Sequence, residues 1–546
     1  MKNFDIDTEK HKETLLSILD EISKEKIWDE SSLQRILRKY PKNGKQMFRK
    51  DELVAAYTTL FGRSDNTVEE RIRMKPTRTN SGVATVTVLT KPYPCPGKCI
   101  YCPNDVNMPK SYISSEPGAQ RALSNKFNPY AQVFNRLVAL KNVGHNIEKV
   151  ELIVLGGTWN FYTEQYRLSF IYECFRALND VRKDTTEYID PNLFSLPIAT
   201  WEDLKTEQKK NEHAYCRNVG LVIETRPDYI SEKEAIHMRR LGCTKIQIGI
   251  QSLSNKVLRK NNIGRTTEDS KRAFEILRRM GFKIHGHWMP NLYGSSVKGD
   301  ISDYKKLWSD RFCPDELKIY PTSIIRNTKL HELYLKGIYR PYTDEELEYV
   351  LRKVLPMTPR YCRLTRIIRD IPAGDIVAGN KRSNLRQIVE MSLEKDGISV
   401  EDIRSREIKG ESVNLSDLVL EKIEYETTIS KEIFLAYNRG VDDKICGFLR
   451  LSLPKKKYRK KHFLKEIEGC SLIREVHVYG KVLGVNDKSS GESQHLGLGK
   501  KLIGIAEEIS KGYGFEKISV ISAVGTREYY RKRGFNDGEL YMKKEL

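Results

Sequence analysis

The chain of 546 residues lacks the long apolar runs of a membrane protein. No stretch approaches the roughly 18–20 apolar residues that a helix needs to cross a bilayer. The first residues, MKNFDIDTEKHKETLL, are charged throughout and lack the apolar centre of a secretory signal. The sequence therefore predicts a cytoplasmic protein that is not attached to a membrane.

Cysteine is scarce as well, with ten residues in the whole chain, which is too few for a disulfide scaffold. The sequence also has no internal repeat and no low-complexity tract, which argues against a solenoid or a disordered protein. What remains is a globular protein of two or more domains, because single cores stop growing at about 250–300 residues.

Acidic residues are under-represented relative to basic ones. Lys and Arg total 94 against 73 Asp and Glu, a formal net charge of 94 − 73 = +21. A surface rich in both signs would explain abundant charge but not this imbalance, so the composition favours a polyanionic partner. Residues 31–50 hold seven basic and no acidic residues, with Tyr40 and Phe48 among them. This patch suits a phosphate backbone with stacking bases, and it also suits an ordinary solvated helix face.

Short β-rich runs alternate with helical stretches from Val83 onward. Repeated β-α units predict a parallel sheet covered by helices, either a partial barrel or a flat doubly wound sheet. The six strand candidates are Val83–Thr90, Val150–Leu155, Val219–Glu224, Lys245–Ile250, Lys283–Trp288 and Leu317–Tyr320. We divide the chain into a basic N-terminal region (1–75), this β-α domain (76–375), a polar linker (376–417) and a smaller C-terminal domain (418–546) that begins with strands of antiparallel type.

Unusual polar residues follow four of the predicted strands. They are Gly156–Thr158, Glu224–Pro227, Gln251 with Ser252, and His287–Pro290. Sites of α/β proteins form at the carboxyl ends of parallel strands. The four strand ends therefore predict one shared cavity.

The loop PYPCPGKCIYCPND holds three of the ten cysteines, spaced Cys95-x3-Cys99-x2-Cys102. Three thiolates can bind three irons of a [4Fe–4S] cluster and leave the fourth iron open. A structural zinc site would need a fourth ligand nearby, and the nearest downstream histidine is His145. The spacing predicts an iron–sulfur cluster.

This cysteine spacing, placed after the first strand of a β-α array, resembles the radical S-adenosylmethionine superfamily. The resemblance implies that the open iron binds S-adenosylmethionine and that reductive cleavage gives a 5′-deoxyadenosyl radical. Gly156, Gly157 and Thr158 match the glycine-rich turn that meets the methionine amino group. Glu224 and Arg226 match partners of the ribose and the carboxylate, although they could instead form a structural salt bridge.

A second informative stretch is QHLGLGKKLIGIAEEI, from Gln494 to Ile509. Backbone N–H groups at a glycine-rich helix start can bind a pyrophosphate, but such starts are also common without a ligand. The order of strand, glycine turn, helix, strand and the segment GTREYYRKRGF resembles the GCN5-related N-acetyltransferase (GNAT) fold. The resemblance implies that Tyr530 protonates a leaving thiolate; core packing is the alternative for Tyr529 or Tyr530.

Together, in this order, the two halves resemble the catalytic subunits of Elongator, which modify wobble uridine in transfer RNA. The resemblance runs from about Lys75 to the C-terminus. It rests on the segments CPGKCIYCPND, RALSNKFNPYAQVFNRL, LKNVGHNIEKVELIVLGGTW, LVIETRPD, HGHWMPNLYGS, LKIYPT, REVHVYG and GTREYYRK. It implies an α/β fold in which a partial (βα)6 radical SAM barrel is joined to a C-terminal GNAT-like α+β acetyltransferase domain.

The resemblance also implies the cofactors and the reaction. Acetyl-CoA would contact Glu475, Val476, His477, Val478, Leu498, Gly499, Lys500, Tyr530 and Lys141. Lys141 would bind a CoA phosphate across the domain interface, or else it is a solvated helix-end residue. The radical would take hydrogen from the acetyl methyl group, and the carbon radical would add to carbon 5 of the uridine. Thioester hydrolysis would leave 5-carboxymethyluridine, and an electron donor is a required partner.

The expected RNA contacts, to the anticodon stem-loop, are the N-terminal patch, Arg121–Tyr130 and Lys455–Lys461. No zinc is expected, because Val400 stands near the position where many relatives carry a cysteine. Cys313 and Cys362 are predicted to be buried small hydrophobic residues.

Two rival interpretations remain: a protein lysine acetyltransferase with a structural iron–sulfur domain, and a transfer RNA-binding scaffold. The sequence leaves open whether the chain acts alone, as a homodimer or with Elongator-like partner subunits.

Overall fold

The computed structural model describes residues 6–29, 31–44, 46–61, 66–74, 79, 81–408, 413–479 and 497–546. The N-terminal region contains α1 (Lys12–Lys24), α2 (Ser32–Lys39), α3 (Lys50–Phe61) and α4 (Asn66–Ile72). These helices bury their own apolar cluster, which includes Leu15, Ile18, Ile36 and Leu53. None of the helices in these described ranges is both long enough and apolar enough to cross a membrane.

The second region alternates strands and helices, as the sequence predicts. In chain order it contains β1 (Ala84–Leu89), α5 (Pro117–Ser124), α6 (Pro129–Asn142), β2 (Lys149–Leu155), α7 (Glu164–Asp180), α8 (Trp201–Asn211), β3 (Arg217–Thr225), α9 (Glu232–Arg240), β4 (Lys245–Gln251), α10 (Asn255–Lys260), α11 (Thr267–Arg279), β5 (Lys283–Trp288), α12 (Val297–Lys306), β6 (Glu316–Ile319), β7 (Ile324–Ile325), α13 (Lys329–Leu335), α14 (Asp344–Val354) and β8 (Arg363–Arg366).

The main sheet has the strand order β1-β2-β3-β4-β5-β6-β8, and each strand is parallel to its neighbours. All six predicted strands are confirmed, with small shifts at their ends. The seventh strand, β8, was not predicted. Its sequence RLTR buries only Leu364 completely, and the strand is too short and too polar to show an apolar pattern.

The side chains on the inner face show that this sheet is curved. Lys245 Nζ on β4 lies 2.8 Å from Glu151 Oε1 on β2 and 3.1 Å from Glu316 Oε2 on β6. In a flat sheet β2 and β6 would be four strand spacings apart, or about 19 Å. A single ammonium group reaches both carboxylates because the sheet curls into a partial barrel, which is open between the edge strands β1 and β8.

The segment predicted to be a polar linker, 376–417, is instead largely folded onto this barrel. It contains β9 (Ile376–Ala378), α15 (Leu385–Lys395) and α16 (Ile403–Arg406). Leu385, Val389 and Leu393 lie one helical turn apart and are buried in the main apolar cluster. The sequence did not predict this helix, because many charged residues surround its three buried apolar residues.

The C-terminal domain is a second seven-stranded sheet, of order β10-β11-β12-β13-β14-β16-β15. Its elements are β10 (Leu418–Glu426), β11 (Ser430–Arg439), β12 (Lys444–Pro454), α17 (Lys456–Arg459), β13 (Ser471–Val478), α18 (Leu498–Gly512), β14 (Lys517–Val520), α19 (Arg527–Arg531), β15 (Asn536–Asp537) and β16 (Met542–Glu545). Neighbouring strands are antiparallel except β13 and β14, which are parallel.

Candidate active site

The three clustered cysteines lie in the loop after β1, next to the turn after β2. Cys95 Sγ is 3.6 Å from Thr158 Oγ1 and accepts a hydrogen bond from the Gly97 N–H at 3.4 Å. Burial raises the pKa of Cys99, which the Arg226 guanidinium partly opposes, and burial raises the pKa of Cys102 to about 12. Burial thus favours the protonated form of both thiols, and the positive charge of bound metal ions would favour the thiolates.

The donor set of this loop suits a cluster better than a single ion. Within the described ranges, no three His, Cys, Asp or Glu side chains converge on one point as ligands of a single metal would. A [4Fe–4S] cluster binds each cysteine thiolate through a different iron, so its ligands surround the cluster instead of converging. Three half-buried thiols on one short loop fit that requirement.

The turn after β2 requires glycine. Gly156 and Gly157 have φ values of +139° and +89°, which L side chains rarely adopt. A methyl group on Gly156 would lie 1.8 Å from Thr90 Oγ1, and Thr158 is buried beside the cysteine loop. The structure thus brings the predicted glycine turn and the cysteines together.

Glu224 and Arg226 end β3 but have different surroundings. Glu224 lines the central cavity, accepts a hydrogen bond from the Tyr112 hydroxyl at 2.6 Å and lies 3.7 Å from His287 Nδ1. Arg226 donates two hydrogen bonds to Asp228, at 3.0 and 2.9 Å. Its guanidinium also lies against Gly97 of the cysteine loop. Arg226 therefore forms an ion pair beside the cysteines, but its partner is Asp228 and not Glu224, so the predicted alternative of a Glu224–Arg226 salt bridge is wrong.

The predicted acyl site lies where two strands of the C-terminal sheet separate. β13 pairs with β14 only through Ser471–Ile473, so the following residues of β13 border an opening. Glu475, Val476, His477 and Val478 all line the cavity there. On β13, Glu475 faces the barrel, because Lys283 Nζ contacts Glu475 Oε1 at 2.7 Å. His477, two residues on, stacks its ring on Phe448 of the neighbouring strand β12.

Helix α18 begins at this opening. Gly499 and Lys500 line the cavity, whereas the Leu498 side chain is 1% exposed and belongs to the core. A methyl group on Gly499 would lie 2.2 Å from the Tyr529 hydroxyl, so glycine is needed for this close approach. Gln494, part of the predicted turn, lies outside the described residues.

Both tyrosines of α19 line the cavity, and they differ in burial. Tyr530 is 7% exposed and packs its ring against Phe535, and burial raises its pKa far above the usual range. Tyr529 is more open and lies over the Arg533 guanidinium. Tyr530 therefore belongs to the core of the C-terminal domain and also lines the cavity with a hydroxyl that burial keeps protonated.

Lys141, near the end of α6, is buried and is not among the residues that line the cavity. It is 4% exposed and donates a hydrogen bond from Nζ to the Thr185 carbonyl at 2.8 Å. The cations that line the cavity in this neighbourhood are Arg136, Lys149 and Arg217. Arg217 also adjoins Gly525 of the C-terminal domain. The alternative of a solvated helix-end residue is therefore wrong for Lys141, and its contact with a CoA phosphate stays a prediction.

A cavity of about 1480 Å³ joins the cysteine side of the barrel to the C-terminal domain. Sequence reasoning missed the polar side chains in its middle, although their alternation along β4, β5 and β6 was visible. They are Lys245, Gln247, Lys283, His285, Glu316, Lys318 and Tyr320. Lys318 donates to Gln247 Oε1 at 2.6 Å, and burial lowers its pKa to about 8. Most barrel interiors are instead filled with branched apolar residues.

The expected RNA contacts have mixed outcomes. Phe48 is 2% exposed and belongs to the helical core, so it cannot stack on a base. Tyr130 is also buried, with its hydroxyl donating to Asp180. Arg121 lines the cavity, and the lysines of 455–461 are exposed on and beside α17. Cys313 and Cys362 are buried, as predicted.

Comparisons with known proteins agree with this architecture. Residues 93–296 match the Radical SAM superfamily, and residues 314–395 match the Radical_SAM C-terminal domain. The chain is 37% identical over 550 residues to a tRNA uridine(34) acetyltransferase of Methanocaldococcus infernus, covering 94% of this chain and 98% of the relative. It is 35% identical to Elongator complex protein 3 of Schizosaccharomyces pombe, covering 87% of each chain.

The solved structure of Methanocaldococcus infernus Elp3 with an N-terminal deletion (1–46) superposes with a TM-score of 0.71 at 34% identity. The superposition covers 85% of this chain and 99% of the archaeal chain. Membership of the Radical SAM superfamily implies a [4Fe–4S] cluster and S-adenosylmethionine, which the cysteine loop and glycine turn fit. The chain therefore belongs to the radical SAM family formed by the tRNA uridine(34) acetyltransferases and Elongator complex protein 3.

Proposed function

We propose that this chain converts the wobble uridine of transfer RNA to 5-carboxymethyluridine, using S-adenosylmethionine and acetyl-CoA. One observation carries the proposal: a single cavity extends from Glu224, near the cysteine loop, to Gly499 and Tyr530 in the C-terminal domain. A radical generator and an acyl-binding site that open into the same space can act on one carbon atom. The names of the relatives, tRNA uridine(34) acetyltransferase, support the RNA substrate.

On the radical side, Cys95, Cys99 and Cys102 hold the cluster, and Gly156, Gly157 and Thr158 form the turn that receives the methionine part of S-adenosylmethionine. When bound, this pair supplies a 5′-deoxyadenosyl radical once one electron has been delivered by a donor. Glu224, fixed by the Tyr112 hydroxyl, is the ribose partner. Arg226 places a positive charge beside Cys99, and this charge opposes the rise in the Cys99 pKa that burial causes.

On the acyl side, the backbone of Glu475–Val478 and of Leu498–Lys500 binds acetyl-CoA in a GNAT-like domain. The opening between β13 and β14 exposes backbone groups there, and the start of α18 presents N–H groups to the pyrophosphate. Burial keeps Tyr530 protonated, which suits a proton donor to the leaving CoA thiolate.

The overall reaction balances. With S-adenosylmethionine bound, one electron from the donor would release methionine, the hydrogen atom of the acetyl methyl group would end on 5′-deoxyadenosine, and the carbon radical would add to carbon 5 of the uracil ring. Return of one electron to the cluster and loss of one proton to water would restore the ring, and water would then split the thioester to a carboxylate and free CoA. Uridine carbon 5 is not acidic and offers no nucleophile that could attack a thioester in ordinary acyl transfer. The protein's contribution is therefore to hold the reactants in position and to exclude water.

Transfer RNA binds to the basic surfaces of this chain. The net charge of +21 and the exposed lysines of residues 455–461 supply phosphate contacts, so affinity should fall steeply with salt. Residues 1–75 add the N-terminal basic patch, from which Phe48 is excluded as a stacking group. The anticodon stem-loop would then present its wobble base to the open side of the barrel.

The test uses anaerobically reconstituted protein with transfer RNA, S-adenosylmethionine, a reductant and methyl-deuterated acetyl-CoA. We expect deuterium in the 5′-deoxyadenosine and carboxymethyluridine in the digested RNA, with both lost in Cys99→Ala. Carboxymethyluridine without deuterium transfer would refute the radical route but keep the substrate. Acetylated protein beside unmodified RNA would instead support a protein lysine acetyltransferase.

A further inference from the structure

The two halves of the proposed site lie at opposite ends of the barrel strands. The cysteine loop follows the carboxyl end of β1, whereas the C-terminal domain contacts the amino ends of β5 and β6. Lys283, the first residue of β5, contacts Glu475 at 2.7 Å, and Asp315, just before β6, contacts Arg474 at 2.7 Å. β5 spans six residues, so the ends are separated by about 17 Å at roughly 3.3 Å per residue.

Hydrogen-atom abstraction needs the reacting atoms almost in contact, about 3–3.5 Å apart. An acetyl group held beside Tyr530 and His477 therefore cannot react at the far end of the strands. Either the acyl group moves along the barrel, or the two domains move apart and re-dock. Buried contacts such as Arg474 with Asp315 oppose the second route.

The barrel interior provides a path for the first route. Alternate residues of β1, β2 and β5 line the cavity from one end to the other; on β5 they are Lys283, His285 and His287. Along β1 and β2 most of the side chains that line the cavity are less buried than those of the opposite wall. Thr85, the second residue of β1, points inward and is nevertheless exposed, and Thr87 and Ile153, farther along their strands, are half-buried.

The opposite wall offers hydrogen-bonding atoms that lack partners. His287 is 6% exposed, yet its Nε2 makes no hydrogen bond, and neither does Gln251 Oε1, whereas His285 Nδ1 lies 3.3 Å from Glu316 Oε2. Buried polar atoms are nearly always paired. Unpaired atoms along a cavity wall therefore point to a ligand that carries several donors and acceptors. Burial lowers the pKa of both histidines, so each is neutral and can donate or accept.

We propose that the barrel interior is a channel for the acyl-pantetheine arm of acetyl-CoA, entered from the amino ends of the strands. The arm is a flexible chain with two amides and a thioester carbonyl, and its length suits a passage that links the two ends. It lies along Thr85, Thr87 and Ile153, with its amides facing the unpartnered atoms of the opposite wall. The proposal rests on the proposed function for the identity of the acyl donor.

A chemical-protection experiment tests the channel without any catalysis. In the full chain carrying its cluster, the thiol introduced by Thr85→Cys is alkylated with iodoacetamide, and the peptide that contains position 85 is quantified by mass spectrometry. We expect acetyl-CoA to slow this alkylation at least fivefold, while adenosine 3′,5′-bisphosphate, which lacks the arm, leaves the rate unchanged. Equal rates with and without saturating acetyl-CoA would overturn the channel.

A second experiment obstructs the channel. Thr87→Trp and Ile153→Trp should keep the affinity for adenosine 3′,5′-bisphosphate, which lacks the arm, within about twofold and should still cleave S-adenosylmethionine, but deuterium transfer from the acetyl methyl group should fall at least tenfold. Thr87→Ser and Ile153→Val are the matched controls and should transfer deuterium normally. Retained affinity and cofactor cleavage show that the variants are folded. Undiminished deuterium transfer in both Trp variants would overturn the proposal.

The two experiments separate failure of the channel from failure of the proposed function. If the unaltered protein transfers no deuterium but Thr85→Cys is protected by acetyl-CoA, the radical reaction is refuted and the channel stands. If the unaltered protein transfers deuterium and protection is absent, the proposed function stands and the channel is refuted.

Discussion

Arg474 of the C-terminal domain and Asp315 of the barrel form a buried two-pronged ion pair. Arg474 Nη2 lies 2.7 Å from Asp315 Oδ1, Nη1 lies 2.8 Å from Oδ2, and Nε donates to Glu432 at 2.8 Å. Burial opposes ionisation of Asp315, but the Arg474 and Arg450 charges outweigh it and hold the pKa of that carboxyl well below its usual range. This pair fixes the amino ends of the barrel strands against β13.

Replacing Arg474 by Met should destabilise the protein strongly, because Asp315 and Glu432 would stay buried without their partner. Breaking a buried pair costs about 3–5 kcal/mol. Guanidinium denaturation followed by circular dichroism measures the change. Arg340→Met, which removes an exposed ion pair with Glu346, is the control and should leave the midpoint unchanged. A midpoint equal for both variants would contradict the docking role of Arg474.

The stabilising effect of Glu475 should depend on pH. Burial opposes its ionisation, but Lys283 and then Arg450 overcome this and lower its pKa to about 2. A carboxyl with a lowered pKa stabilises the folded state above its ordinary pKa of 4.5, and the effect disappears as pH falls toward 2. Glu475→Gln should therefore cost about 3 kcal/mol near pH 7, with the two stability curves converging on acidification. Parallel curves from pH 7 to 3 would contradict the assignment.

Cys99→Ala should abolish cluster assembly, because two thiols cannot hold three irons. Iron content per chain and the visible absorption of the reconstituted protein measure the loss, and S-adenosylmethionine cleavage should stop with it. Cys174→Ala removes a buried thiol far from the loop in sequence and should keep full iron content. Normal iron content in Cys99→Ala would refute the cysteine assignment.

Gly156→Ala should disrupt the turn after β2. The added methyl group would collide with Thr90 Oγ1 at a φ of +139°, which is strained for alanine. We expect S-adenosylmethionine affinity, measured by calorimetry, to fall at least tenfold. Gly504→Ala on α18 meets no neighbouring atom within 4 Å and should preserve binding. Equal affinities would show that the turn does not form the cofactor site.

Tyr530→Phe should slow thioester cleavage by roughly 10²-fold if its hydroxyl protonates the CoA thiolate. Release of free CoA, followed with a thiol reagent in the presence of transfer RNA, measures this step. Tyr529→Phe retains the ring over Arg533 and should be close to normal. If Tyr529→Phe is the slower variant, the more open tyrosine is the proton donor.

Local patterns predicted the elements well but left out the interior of the barrel. β5 was recognised from its apolar and aromatic residues, whereas the inward direction of Lys283, His285 and His287 needed the curvature of the sheet. β8 and α15 were missed because their few apolar residues are surrounded by charge. Lys141 and Phe48 were placed by motif or composition, and packing gives them other partners.

The sequence by itself predicted a metal-binding cysteine loop, since the spacing of Cys95, Cys99 and Cys102 is a local property. It also determined the β-α alternation, which follows from periodicity along the chain. Only the tertiary structure decided that the sheet curls, because Lys245 meets Glu151 and Glu316 from strands far apart in the chain. It also decided that the second domain docks at the amino ends of the strands and that one cavity joins both sites. These relations depend on contacts between residues distant in sequence, and no local pattern encodes them.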